Sequence, residues 1–103
     1  MDINEYILSK VKHRIIQIDP DAKVILFGSR ARNDYHQNSD WDFLILTKLN
    51  VNQDLKNKIS DSLFETELET DSILTGIVQN FDSWRDYSDT PIFKNISKEG
   101  VEI

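Results

Sequence analysis

Asp40 and Asp42 stand two positions apart at the head of the apolar run Trp41-Asp42-Phe43-Leu44-Ile45-Leu46, which reads as a β-strand. Strand side chains alternate faces, so residues i and i+2 point the same way, and the two carboxylates are expected side by side. Such a pair suits Mg²⁺, which is typically bound through one or two carboxylates while substrate phosphates complete its octahedron. Upstream, the small-residue turn Gly28-Ser29 follows the apolar run Val24-Ile25-Leu26-Phe27 and precedes a helical turn expected over residues 30–33. A turn leading into a helix start offers backbone N–H groups and the positive end of a dipole, both suited to phosphate. The Ser29 hydroxyl adds a further donor. Arg32 carries a fork that matches phosphate and carboxylate alike, so it is expected at a triphosphate, on the Asp pair, or in a salt bridge holding the loop. A phosphate cradle one short loop from a metal-binding carboxylate pair points to a nucleoside triphosphate bound with Mg²⁺.

The segments Gly28-Ser29-Arg30-Ala31-Arg32 and Ser39-Asp40-Trp41-Asp42-Phe43-Leu44-Ile45 resemble the nucleotidyltransferases of the DNA polymerase beta superfamily. Within it they are most similar to the minimal nucleotidyltransferases, small one-domain proteins of about this length. The motif match covers residues 24–46, and the order of elements is compatible over nearly the whole chain. One position departs from the pattern: Asn33 stands where the family commonly has Gly. Asn tolerates the left-handed backbone that such a Gly would supply.

The resemblance implies that Asp40 and Asp42 are catalytic and hold metal, and that Gly28, Ser29 and Arg32 bind phosphate. It implies two Mg²⁺ ions bridging three acidic side chains and the triphosphate, with a nucleoside monophosphate, AMP from ATP, moved onto a hydroxyl of a protein or small molecule. In the resembled group the partner is often a helical HEPN-type protein, the two acting as antitoxin and toxin, with a tyrosine of the toxin as an acceptor. The third acidic position, on a strand after the long helix, falls on Thr75, which has no anionic oxygen. Asp71 serves only in a different register, because a one-residue slip turns a side chain to the other face. Glu67 and Glu69 are the other nearby carboxylates. Two readings therefore stand: an active Mg²⁺-dependent nucleotidyltransferase, or a catalytically weak or inactive module of the same fold that neutralises a helical partner.

The elements that must position these groups follow from periodicity. Ile7, Leu8, Val11, Ile15 and Ile16 have helical spacing across residues 3–18, with Asp2 as a candidate cap and Asp19-Pro20-Asp21 as the stop. Residues 24–27 read as a strand covered on both faces. A second helix is expected over residues 52–69, with Leu55, Ile59, Leu63, Phe64 and Leu68 inward. Residues 71–79 read as a third strand, with Gly76 marking a bulge or a close approach. Asn80 or Asp82 is expected to cap a short helix through Trp84, and Thr90-Pro91 to open a last helix that Gly100 ends. The predicted architecture is α/β (α+β), a small mixed β-sheet with helices packed on it, forming one nucleotidyltransferase-like domain over residues 1–103.

Other residues are expected to be structural. Trp41 and Phe43 share the face opposite the Asp pair and are assigned to the core. Trp84, Tyr87, Phe93 and Tyr35 are assigned to packing under the C-terminal helices rather than to a base platform. Arg30 is read as a solvated charge, His36 as an exposed loop residue, and His13 has no role.

Twelve basic against eighteen acidic residues give a formal charge of −6, and the basic residues are scattered, so a polynucleotide substrate is not expected. No apolar run approaches the ~20 residues of a membrane span, and no signal-peptide core follows Met1. The chain has no cysteine, which excludes disulfides and thiolate metal sites and fits a cytoplasmic setting. The expected partners are a nucleoside triphosphate and a helical HEPN-type protein, with self-association as an additional assembly. Residues 84–103 carry more large apolar groups than a small cap needs and are the candidate contact surface.

Overall fold

In the computed structural model, which describes residues 3–36 and 38–103, the chain runs α1 (Ile3–Ile18), β1 (Lys23–Phe27), α2 (Ser29–Arg32), β2 (Trp41–Thr47), α3 (Gln53–Thr70), β3 (Leu74–Asn80), α4 (Phe81–Arg85), α5 (Pro91–Glu99) and β4 (Val101–Glu102). The cap expected at Asp2 lies outside the described residues. The strands form one sheet in the order β3-β2-β1-β4. β1 pairs antiparallel with β2 and β4, while β2 and β3 are parallel. Two parallel neighbours need a long crossover, and α3 supplies it. The sheet is therefore mixed, as the sequence predicts.

Helices cover both faces. On one, Ile7, Val11 and Ile15 of α1 and Leu55, Ile59 and Leu63 of α3 pack on Val24, Leu26, Trp41, Phe43, Ile45 and Leu74. On the other, Trp84, Phe93 and Ile96 pack on Ile25, Phe27, Leu44, Leu46 and Ile77. The alternation along β1 and β2 sends successive residues to these two clusters, which is why both strands read as continuous apolar runs.

Most helix ends form as their residues predict. The Asn52 side chain accepts from Leu55 N at 2.9 Å and opens α3. Of the two candidates for α4, Asn80 is the cap, accepting from Asp82 N at 2.9 Å. Thr90 accepts from Phe93 N at 3.3 Å, with Pro91 in the first turn. Gly100 ends α5 with an extended backbone, φ −65°. Its glycine is required by crowding instead, since a Cβ would lie 2.7 Å from Ile25 Cγ2.

The structure corrects two expectations and adds a strand. Phe64 and Leu68 are 57% and 70% exposed, so they do not face inward. Buried Thr66 takes that part of the helix seam, its hydroxyl accepting from Arg14 Nη1 at 2.7 Å while Arg14 also binds Glu69. With Leu55, Ile59, Leu63 and Thr66 inward, the two apolar residues fall outside that stripe. The third strand starts at Leu74, because Asp71 is the left-handed cap of α3, with φ 53° and its N–H on Glu67 O. Residues 101–102 form an edge strand that no periodicity announces, since two residues are too few to show alternation. Of the two readings of Gly76, the close approach holds: the register with β2 continues without a bulge, and the glycine admits Leu63, whose Cδ1 would stand 2.6 Å from a Cβ.

Asp19, read only as part of a helix stop, is buried and ties the end of α1 to the end of β2. It accepts from Thr47 Oγ1 at 2.6 Å, from Lys48 N at 3.2 Å and from Asp21 N at 3.0 Å. Burial pushes its pKa up, but these bonds and the Lys48 charge outweigh burial and hold the pKa below the ordinary value.

Candidate active site

The chain leaves β1 at Phe27 and turns at Gly28, whose φ of 77° and ψ of −160° belong to a region open essentially to glycine alone. The turn has a second reason to be glycine: a Cβ there would collide with Oδ2 of Asp42. Ala31 N and Arg32 N both donate to Gly28 O at 3.1 Å, winding the single turn of α2 behind Ser29. Asn33 closes it with φ 66° and ψ 24°, the left-handed conformation its side chain tolerates.

Asp42 lies in β2, opposite Phe27 of β1 on one side and Thr75 of β3 on the other. Paired residues of neighbouring strands point the same way, so Phe27, Asp42 and Thr75 form one row across the sheet. Asp42 is half-buried, Thr75 is exposed, and Asp40 is exposed just before β2 begins. Gly28, Ser29, Arg32, Asp40 and Asp42 line one open depression of about 680 Å³, closed on its far side by Pro91, Asn95 and Glu99 of α5. Burial first, and then the charge of Asp40, raise the pKa of Asp42, while the charge of Arg32 opposes them. Two crowded carboxylates, one of them desolvated, are relieved by a cation between them. The donor set thus fits one divalent ion shared with phosphate oxygens. Among the described residues no group of three or more His, Cys, Asp or Glu side chains converges, and the place beside Asp42 belongs to Thr75. Asp71 lies on the rim of a separate depression with Arg30 and Tyr35.

Arg32 makes ion pairs, through Nε with Asp34 at 3.1 Å and through Nη1 with Glu99 at 3.1 Å. Those bonds, Asp34 first, hold its guanidinium more firmly charged than usual. Glu99 Oε1 also accepts from Gly28 N at 3.4 Å. The sequence reading missed Glu99; its one signal was an acid in the last turn of a helix, where the dipole disfavours it.

Arg30 is not a solvated charge. Its guanidinium lies 4.3 Å from the Tyr35 ring centre and 4.4 Å from that of Trp41, and it donates to Ser39 O. The stack pins the loop that delivers Asp40, and it takes Tyr35 away from the C-terminal helices. Trp41 and Phe43 are buried as expected. The Trp84 ring lies 5.0 Å from Phe93 and 5.9 Å from Tyr87, so these residues pack together, while Tyr87, Ile92 and Val101 remain exposed. His36 is exposed and accepts from Asn38 N at 3.3 Å; His13 contacts Gln17 on the outer face of α1.

Comparison with known proteins identifies the family and the fold. The family model described as "Nucleotidyltransferase domain" matches residues 8–95. A protein of Methanocaldococcus jannaschii named "Putative protein adenylyltransferase" is 33% identical, the match spanning the full length of both chains. Among solved structures, a chain of a toxin–antitoxin crystal structure with AMP-PNP superposes with a TM-score of 0.64 at 17% identity, covering 99% of this chain and 72% of that one. A chain of a mutant MntA–HpeT toxin–antitoxin superposes with a TM-score of 0.61 at 16% identity, again over 99% and 72%. At these identities the structural matches establish the fold.

Proposed function

This chain belongs to the nucleotidyltransferase domain family, and on that premise we propose that it moves AMP from ATP onto a hydroxyl of a protein or small-molecule acceptor. It works as a single domain over residues 1–103. The observation that carries the reading is the fit between Gly28 and Asp42, which brings a phosphate-binding turn against a carboxylate pair. Gly28 N–H and the Ser29 N–H and hydroxyl hold phosphate oxygens, and Arg32 neutralises part of their charge. Asp40 and Asp42 would hold Mg²⁺, which would supply charge neutralisation of the triphosphate and activation of the attacking hydroxyl. The depression that these residues line is open to an acceptor. There the acceptor oxygen bonds to the α-phosphorus, the bond to the β-phosphate bridge breaks, pyrophosphate leaves, and the hydroxyl proton passes to solvent.

The acceptor side is open because α5 covers only one flank of the site, so a second protein completes it. A helical HEPN-type toxin, with a tyrosine as acceptor, is the partner proposed. Support comes from the name of the full-length relative and from the toxin–antitoxin assemblies that share the fold. Tyr87, Ile92 and Val101 offer it apolar surface. A cytoplasmic setting goes with this reading; among the described residues, no helix is long and apolar enough to cross a membrane.

Thr75 favours a second reading, a weakly active or inactive module that neutralises its partner by binding. Threonine beside Asp42 can exchange hydrogen bonds but cannot supply the negative charge of a third ligand. Incubation with Mg²⁺, each labelled nucleotide and the neighbouring encoded protein, read by mass spectrometry, separates the two. An AMP adduct on the neighbour, lost with Asp40→Asn plus Asp42→Asn, supports transfer. A stable complex without any adduct supports binding alone.

A further inference from the structure

β4 runs antiparallel to β1, with Val101 opposite Leu26 and Glu102 opposite Ile25. Each step back from β4 is a step forward along β1, so the same register carries Glu99 to Gly28. Three contacts fix that placement. Gly100 is wedged between Ile96 O and Ile25, Ile103 N donates to Val24 O at 2.9 Å, and Lys12 Nζ donates to Ile103 O at 2.9 Å. Glu99 is only 20% exposed in its side chain, and its carboxylate accepts from Gly28 N and from Arg32 Nη1 through both oxygens, at 3.1 and 3.3 Å. It therefore stands on two of the donors that the proposed function assigns to phosphate.

We propose that Glu99 is a built-in competitor for the phosphate site, a carboxylate that holds the Gly28 amide and the Arg32 guanidinium until a polyphosphate displaces it. The inference rests on the nucleotide-binding reading of this depression. A carboxylate is a fair copy of one phosphate edge: it is anionic and presents two acceptor oxygens, here both on Arg32 Nη1 while Nε is held by Asp34. A ligand carrying a single phosphate gains little over it, whereas a triphosphate anchored also through metal at Asp40 and Asp42 gains contacts that Glu99 cannot make. Glu99 thus sets the affinity threshold and favours polyphosphates over monophosphates. It also couples nucleotide entry to α5, since the displaced side chain has to leave the depression or take the end of the helix with it. Its location in the last turn of α5 fits this role, because the helix dipole destabilises the carboxylate there and Gly28 and Arg32 offset the effect.

Calorimetry with ATP and Mg²⁺ on the purified chain tests this, using Glu99→Gln, which removes the charge at constant size, and Glu99→Asp, which keeps the charge but shortens the reach. Both variants should bind ATP roughly fivefold more tightly, the effect expected when a partly exposed ion pair no longer competes. In ¹⁵N spectra the Gly28 amide of either variant should be displaced from its wild-type position, as should that of the wild type on adding ATP. Unchanged or weaker binding in both variants, with wild-type binding still abolished by Asp40→Asn plus Asp42→Asn, overturns the role of Glu99 and leaves the nucleotide site standing. No ATP binding by the wild type or either variant overturns both.

Discussion

Gly28 and Asp42 occupy each other's space: the turn is glycine because a β-carbon would enter the Asp42 carboxylate. Backbone at position 28 and side chain at position 42 are therefore one structural unit, although they stand fourteen positions apart in the chain. In the proposed function this proximity is what would let a phosphate chain on the turn share a cation with the carboxylate.

Gly28→Ala tests that unit. The substitution forces an L-residue into φ 77° and pushes Asp42 aside. A loss of about 1–3 kcal/mol in chemical denaturation is expected, together with weaker Mg²⁺–ATP binding. An alanine variant as stable as the wild type that binds nucleotide normally would show that the turn relaxes without consequence.

Asp42→Asn should stabilise the fold while removing metal binding. Burial and then the Asp40 charge raise the folded-state pKa of Asp42 above its unfolded value. The folded protein therefore holds the proton more tightly, and stability falls as pH rises from about 4, the unfolded value, through the folded one. Above that window the ionised group is a burden that asparagine lacks. Melting curves in EDTA should place Asp42→Asn above the wild type at pH 7, with the two converging below about pH 4. In Mg²⁺ the order should narrow or reverse, because the ion stabilises only the wild type. A lower melting temperature for Asp42→Asn at pH 7 in EDTA would contradict this.

Thr75→Asp would place a third carboxylate beside Asp42. Position 75 is exposed and in register with Asp42, so the new side chain enters the same row without disturbing the core. Mg²⁺ affinity should rise on the order of tenfold, since ligand charge sets cation affinity, and nucleotidyl transfer should rise with it. In EDTA the same variant should melt lower, because three carboxylates then repel one another. Tighter Mg²⁺ binding without faster transfer would mean that the rate is limited elsewhere.

Much of this protein is written locally. The Gly-Ser turn, the strand after Asp40, the caps at Asn52, Asn80 and Thr90, and the left-handed Asn33 depend on a few consecutive residues. Side-chain period, cap chemistry and allowed φ are legible at that range. So were Trp41 and Phe43 as core, since alternation alone sets them opposite Asp42. The wider relationships were decided only by the fold. Helical spacing places Phe64 and Leu68 near the inner stripe, but the packing of Leu55, Ile59 and Leu63 in the core decides which side of α3 is buried. Asp71 and Thr75 both fit a strand by parity, yet the left-handed cap at Asp71 removes one and the β2–β3 register seats the other beside Asp42. Glu99 reaches Gly28 across 71 positions because a two-residue strand pairs with β1, a contact with no local signature. Local sequence specifies which groups a segment can present. Which of them meet is set by long-range pairing and helix rotation, where small differences in packing energy, summed over the whole core, choose one arrangement.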